Sequence, residues 1–424
     1  MIRIFPAVFS GTLAAPPSVD YAQRLLFAAA VSNSPTAIQH VPISNDILTT
    51  IDCLEALGST IERKGNDTLI VHPFPKTRPV PKVDFDFKRC ATTSRYALAI
   101  AAAYGFQADC IAHESLSRRP LFPLASRMAV RGTTFSSFTF PLTMQGRLEG
   151  GDYDFDGSLD HDYASSVLLA APILSSGSSI RIEQPILLPG KIDITRSILE
   201  QFGIEVNVVE DAILIPGRQV YTSPENIAVV GDWSLAAMWL TAGALSQNQG
   251  GSISCTDLPP DSPQGYRNLA VMHSQLITDF RDITVDAQEY PELSTLIAVV
   301  SAAKSGALHL SGAPQLRFKE TDRLKTIASI LRDMGADMAE TADGLESNGQ
   351  GAFDYPDDYF VDCQGDAHIA MAFALAAPVM KKPFVIDERT VDKLWPEFWD
   401  VYRALGGNFE ILDEHTEQLN PHNA

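Results

Sequence analysis

What most limits how this chain can fold is a segment type that recurs six times: an Ala-rich stretch, apolar nearly all round, beginning near Tyr21, Thr93, Tyr163, Trp233, Leu293 and Ala367. A helix apolar on every side has to be buried on every side, and its small side chains let neighbouring backbones approach closely. The six are therefore expected to be core helices. Between them lies a second pattern, an amphipathic helix that ends at a glycine and leads into a short strand: residues 47–57 before Gly58, 194–202 before Gly203, 324–334 before Gly335 and 398–405 before Gly406. Each glycine suits the left-handed position after a helix. Residues 123–130 with Gly132 make a weaker copy, and a helix expected near 276–285 lacks the glycine. The period is roughly sixty to seventy-five residues. Six units fall into two groups of three, with a domain change near 228–233. The expected domains are 14–230, and 1–13 with 231–424, because a first strand over 2–9 precedes any buried helix and can join the second group. A generic α/β protein whose Ala-rich helices recur by composition alone is the other reading of the pattern.

The 424 residues, 45% of them apolar, are enough for more than one core. With 32 Lys and Arg against 52 Asp and Glu, the formal charge is −20, and no basic tract carries interleaved aromatics. That balance argues against nucleic acid as a partner. Any anionic ligand has to be held by local cations. The longest apolar run, near 367–380, is broken by His368 and Pro378 and is too short to span a membrane. Residues 1–15 hold one cation, Arg3, and an early Pro6, a poor secretory signal. Cys53, Cys90, Cys110, Cys255 and Cys363 are odd in number and far apart, which suggests neither a disulfide framework nor a zinc site. A cytoplasmic protein, outside any membrane and monomeric, is expected.

Phosphate-binding and zinc motifs of the P-loop, dinucleotide and HExxH kinds do not occur in the chain. The informative segment runs from Arg317 to Lys325 and reads RFKETDRLK. A helix expected from around Thr321, with Leu324, Ile327, Ile330 and Leu331 on one face, puts Lys319, Glu320 and Arg323 at its N-terminal end, where the backbone dipole favours anions. Taken alone, such a charged turn is more often a solvated helix start with surface pairs than an active site.

RFKETDRL resembles a signature of the EPSP synthase (3-phosphoshikimate 1-carboxyvinyltransferase) family, and the resemblance extends along essentially the whole chain. It implies an α/β fold of two inside-out α/β barrel domains, three repeated units in each, with ligands in a cleft between domains that close on binding. It further implies transfer of the enolpyruvyl group of phosphoenolpyruvate to shikimate 3-phosphate with release of phosphate, a step toward the aromatic amino acids. Ser117-Arg118-Arg119-Pro120 is similar to the family's Arg-Pro segment, so Arg119 takes the place of a phosphoenolpyruvate ligand; Lys393, in DKLWPEFW, takes that of a late ligand lysine. Arg323 corresponds to the arginine on the carboxylate side of the same ligand, Glu320 to an acid at the methylene carbon, and Lys319 to the lysine beside the reacting hydroxyl. Glu292, in Tyr290-Pro291-Glu292, stands where the family has an aspartate base candidate, and Arg24 where an arginine binds the shikimate carboxylate. These types suit the chemistry: adding a hydroxyl to an enol phosphate, protonating the methylene and expelling phosphate calls for acid–base groups and fixed cations. No metal or organic cofactor is needed.

The acceptor half departs from the family. Val19 and Asp20 replace a lysine and a serine, and Asp160-His161-Asp162 aligns with the Ser-Ser-Gln that grips the acceptor. Lys191 falls where a tyrosine or arginine is usual, Cys90-Ala91-Thr92-Thr93 replaces Asn-Ala-Gly-Thr, and Asp366-Ala367-His368 replaces Asp-His-Arg. Asp160, His161, Lys191 and His368 thus join the candidate ligand contacts. A lost charge-assisted hydrogen bond costs about 1.5–3 kcal/mol, and a carboxylate about 4 Å from a phosphate adds roughly 4 kcal/mol of repulsion. Lys191 or a cationic His161 could compensate, and His368 can be cationic beside an anion. The bland readings are a surface turn or weak metal ligation for Asp160-His161-Asp162, a hydrogen-bonded core residue for His368, a helix cap for Glu292 and a buried structural thiol for Cys110. Two alternatives to the family reaction are a different hydroxyl acceptor, phosphorylated or not, or a related elimination, and a catalytically silent binding protein of the same fold.

Overall fold

The computed structural model describes residues 1–412 apart from 77–81, 265, 267, 268, 270, 271, 275–281, 289, 320 and 393. All six Ala-rich stretches are helices: Val19–Ala30, Ala91–Tyr104, Asp162–Ala170, Trp233–Ser246, Ser294–Ala303 and Ala367–Leu375. Their alanines are fully enclosed, with Ala28, Ala99 and Ala372 at 0% exposure. The chain divides into two compact units, one of residues 17–230 with 259–264, the other of 1–16, 231–258 and 265–424. Each unit has its own apolar core built around three of the helices.

In the 17–230 unit, Lys82–Asp86 pairs in parallel with Gln107–Ile111, and the buried Ala91–Tyr104 helix is the crossover between them. A parallel pair requires such a crossover. Leu142–Gly146 then adds antiparallel, followed by Thr133–Phe135. The same four-strand order recurs in Asp152–Asp156, Ser178–Glu183, Ala212–Ile215 and Asn207–Val209 around the Asp162–Ala170 helix. In the third sheet the parallel partner of Thr36–Gln39 is Asn226–Ala228, from the far end of the unit. The other unit repeats the order with Asp282–Asp286, Ala307–Ser311, Leu345–Asn348 and Ala339–Glu340. Its next sheet sets Ile2–Phe5 antiparallel between Phe384–Ile386 and Asn408–Ile411. A two-stranded pair of Gly11–Ala14 and Ile253–Thr256 completes it. The result is a mixed α/β, two-domain fold.

Three local expectations need correction. The first strand stops at Phe5, before Pro6, which has no N–H to give to a ladder, and a separate strand begins at Gly11. The helix expected near 276–285 is not what residues 282–285 form: Asp282–Asp286 is a strand whose Ile283 and Val285 point inward, a period of two misread as helical; residues 276–281 lie outside the described residues. The helix expected from Thr321 starts at Arg323, capped by the Asp322 side chain, which accepts from the Lys325 N–H.

The glycines that close the amphipathic helices all have positive φ, from 73° at Gly203 to 103° at Gly406. A side chain at Gly335, φ 91°, would also place its Cβ 2.2 Å from the Ala352 carbonyl oxygen, whereas Gly250, φ 84°, has nothing within 4 Å. Gly250→Ala is expected to cost about 1 kcal/mol from backbone strain alone, and Gly335→Ala clearly more. Urea unfolding of both variants measures the difference; equal losses would contradict the steric argument.

Candidate active site

In the 17–230 unit, charge collects where the N-terminal turns of helices Val19–Ala30, Ala91–Tyr104, Asp162–Ala170 and Pro189–Gln201 meet. Arg24 sits on the second turn of the first helix and is fully buried. Its Nε donates to Thr195 Oγ1 at 2.8 Å and Nη1 to the Asp20 carbonyl at 2.9 Å, while Nη2 lies 3.5 Å from both Ser165 Oγ and Asp162 Oδ1. Arg95 holds Asp160 Oδ2 at 2.5 Å and Asp162 Oδ2 at 3.5 Å, and its guanidinium lies 4.6 Å from the centre of the Tyr163 ring. Asp162 also accepts from Thr92 Oγ1 at 2.6 Å and Tyr96 OH at 2.8 Å, with His161 Nδ1 at 3.1 Å. Lys191 pairs with Asp20.

Burial alone would push the Asp162 carboxyl upward, but His161, Arg24 and Arg95 outweigh it and hold the group well below the usual carboxylate range. Asp160 is held low in the same way by Arg95 and His161, against burial and the repulsion of Asp162. Burial likewise opposes the charge of Arg95, and Asp160, Tyr163 and Asp162 prevail in raising its pKa. Asp160, His161 and Asp162 bring one ligand atom each within 4.8 Å of one another. With both Asp162 oxygens accepting from hydroxyls beside two guanidiniums, that carboxylate serves here as a counter-ion.

Arg119 follows the short Glu114–Ser117 helix, and its neighbour Pro120 is tied back because its carbonyl accepts from Tyr163 OH. Arg118 pairs with Glu114 on the surface; the half-buried Arg119 side chain makes no hydrogen bond or ion pair among the described residues. Tyr163 thus links the Arg95 cluster to the Arg119 turn. Burial pushes the Cys110 thiol up to about 12, so it is a protonated core residue at neutral pH.

The other unit gathers its own groups at helix starts. Asp366 caps Ala367–Leu375 by accepting from the His368 and Ile369 N–H groups, and its other oxygen takes Arg323 Nε at 2.9 Å. Both side chains are buried, at 0% and 1% exposure. Arg323 Nη2 reaches His368 Nδ1 at 3.2 Å. Arginine only donates, so Nδ1 accepts and His368 is neutral in this arrangement. Thr321 Oγ1 lies 3.4 Å from the same Asp366 oxygen. Two residues earlier, Lys319 Nζ is 3.8 Å from Glu292 Oε1, on the turn Pro291–Leu293 that leads into Ser294–Ala303. Tyr266, buried beside them, has its phenol held well above the ordinary value by burial and by Glu292. Lys319, Glu292, Arg323 and His368 therefore share one end of this unit; Glu320 and Lys393 lie outside the described residues.

Of the charged residues described at these sites, Arg95 is the one the motifs did not single out. Its signal was a lone arginine inside TSRYALAIAAAYG, since a charge in a helix buried all round has to meet a counter-charge. The sites offer fixed cations for a small anion and a lysine–carboxylate pair able to pass a proton.

A model of the family EPSP synthase (3-phosphoshikimate 1-carboxyvinyltransferase) matches residues 6–402. A 3-phosphoshikimate 1-carboxyvinyltransferase of Clostridium perfringens (strain 13 / Type A) is 29% identical over 430 residues, covering 96% of this chain and 98% of its own. One from Methanocorpusculum labreanum is 29% identical over 396 residues, 89% and 92% of the two chains. Among solved structures, an EPSP synthase from Acinetobacter baumannii superposes with a TM-score of 0.79 at 22% identity, covering 97% of this chain and 99% of that one. Among the described residues no helix is long and apolar enough to cross a membrane.

Asp162→Asn leaves two buried guanidiniums short of a counter-charge, and a loss of about 3–5 kcal/mol is expected at neutral pH. Because the folded pKa of Asp162 is depressed, its contribution is complete above the unfolded value of about 3.9 and disappears as pH falls through the lower folded value. The gap between wild type and variant in urea unfolding should accordingly be wide at about pH 7 and begin to close only below about pH 4, shrinking further as pH falls. A gap independent of pH would show that the carboxylate charge is not what is lost.

Proposed function

The chain belongs to the EPSP synthase (3-phosphoshikimate 1-carboxyvinyltransferase) family, and from that premise we propose that it transfers the enolpyruvyl group of phosphoenolpyruvate to the hydroxyl of shikimate 3-phosphate. The observation that carries this reading is the convergence of Arg323, held by Asp366 and touching His368, with the Lys319–Glu292 pair at one end of one unit. The acceptor oxygen bonds to the substituted enol carbon while its proton passes to Glu292, with Lys319 stabilising the charge that develops on that oxygen. A proton is added to the methylene carbon, the place given to Glu320. A methyl proton then returns to the group that supplied it as the C–O bond to phosphate breaks, which restores the double bond; phosphate leaves with the proton first taken by Glu292, giving the enol ether and inorganic phosphate.

Arg323 suits the donor's carboxylate, because its guanidinium is buried and held in place through Nε by Asp366. Arg119 and Lys393 are assigned to the same donor. Asp366 keeps Arg323 from rotating away, and His368, neutral beside it, adds an orienting contact rather than a second charge. On the acceptor side, Arg24, Lys191 and His161 are assigned to shikimate 3-phosphate, and Asp160 lines the same place while paired with Arg95. Each of the two cations already has an internal partner, Arg24 in Thr195 and Asp162 and Lys191 in Asp20.

Purified protein mixed with phosphoenolpyruvate and shikimate 3-phosphate is expected to release phosphate only when both are present; no release at any concentration would refute the assignment. Glu292→Gln should lower kcat by roughly 10²–10⁴-fold. Arg119→Ala should raise KM for phosphoenolpyruvate by about tenfold or more, the value of one charge-assisted contact. Arg118→Ala, removing a surface pair, should change it less than about twofold.

A further inference from the structure

The cluster in the 17–230 unit has an unusual balance. Four helix N-termini point their positive ends into it, yet it also holds the cations Arg24, Arg95 and Lys191, which that dipole disfavours. What makes the arrangement tenable is an equal number of the chain's own carboxylates: Asp20 on Lys191, Asp160 on Arg95, and Asp162 between Arg24 and Arg95. The three carboxylates are not equivalent. Asp162 is 4% exposed and receives hydrogen bonds from Thr92 and Tyr96, so it cannot leave without stranding them. Asp160 and Asp20 are the accessible members, at 36% and 26% exposure, each capping a cation that is itself more buried, Arg95 at 4% and Lys191 at 17%. Asp160 stands on the turn before the Asp162–Ala170 helix, where its Oδ1 accepts the Asp162 N–H and its Oδ2 meets Arg95, the side chain's two hydrogen-bond partners among the described residues. Displacing it would break one ion pair and one backbone hydrogen bond.

We propose that Asp160 and Asp20 are internal competitors for the acceptor's phosphate: they occupy Arg95 and Lys191 in the free protein, must be displaced when a phosphorylated acceptor binds, and so set how strongly the site prefers a phosphorylated over an unphosphorylated acceptor. The inference rests on the reading that the acceptor binds at this end of the unit. Arg95 becomes a specificity-determining residue through Asp160. A phosphate dianion offers more acceptor oxygens and more charge than the carboxylate it replaces, but the exchange recovers only the difference between the two interactions. Removing the competitor restores the whole.

The test is calorimetric binding of shikimate 3-phosphate and of shikimate to wild type, Asp160→Ser, Asp160→Asn and Asp20→Ser, with unfolding curves run on each protein. Asp160→Ser and Asp20→Ser are expected to bind the phosphorylated ligand about tenfold or more tightly than wild type, with little change for shikimate. The isosteric Asp160→Asn serves if the serine variant does not fold. The chain's formal charge of −20 could itself repel the ligand, so Asp211→Asn, a 73%-exposed carboxylate in the same unit, controls for charge in general and should move the affinity less than about twofold. Unchanged or weaker binding of shikimate 3-phosphate in the folded variants, or an equal gain in Asp211→Asn, overturns the proposal. Turnover is read separately: tighter binding in Asp160→Ser without phosphate release in any protein sinks the assigned reaction while leaving the competitor role standing.

Discussion

Both units depend on one device, a buried aspartate at the start of an all-apolar helix that neutralises a buried arginine from a neighbouring helix. Asp162 does this for Arg24 and Arg95, and Asp366 for Arg323. A lone guanidinium in either core would be prohibitively costly to bury, and so would a lone carboxylate. Placed at helix N-termini, both carboxylates gain from the dipole as well as from the arginines, and Asp366 also from the free N–H groups of its helix. Asp366 shows the economy of the arrangement, since one oxygen caps its helix and the other holds Arg323 Nε.

The same device resolves the conflict between an acidic chain and anionic ligands. At a formal charge of −20 the long-range field repels a phosphate or carboxylate. Screening at physiological salt confines that field to about 8 Å, so what a ligand meets close in is decided by a few fixed groups. In the 231–424 portion these are Arg323, Lys319 and the neutral His368, with Glu292 beside Lys319. In the 17–230 portion the local cations already have local anions. On the proposed assignments the two ends would recognise charge by different physics, one through an arginine fixed by its own aspartate and the other through an exchange of partners.

The links between these groups also set what can move. Tyr163 lies against Arg95 with its ring and holds the Pro120 carbonyl with its hydroxyl, so the turn carrying Arg119 is tied to the state of the Arg95 cluster through one side chain. Gln23, buried between Thr50, Cys90 and Thr93, joins the starts of two helices and the middle of a third by hydrogen bonds alone. Such networks hold geometry tightly when every member is satisfied.

Much of the architecture was legible in the residues themselves. Six all-apolar, alanine-rich stretches have only one stable use, as helices enclosed on every side, and glycines after amphipathic helices mark left-handed backbone that other residues adopt at a cost; both inferences are local and both match the helices and φ angles found. RFKETDRL located the charged helix start to within two residues, because cap chemistry is also local. Short strands such as Asp282–Asp286 were misread, since five residues of alternation are weak evidence against a helical window. What only the tertiary structure decided is which charge meets which: that Arg95, invisible to any motif, faces Asp160 and Asp162, that Asp20 has taken Lys191, and that His368 accepts from Arg323. Those partners lie between 45 and 171 residues apart, and pairing across such spans follows from how whole helices pack, which periodicity along one segment does not encode.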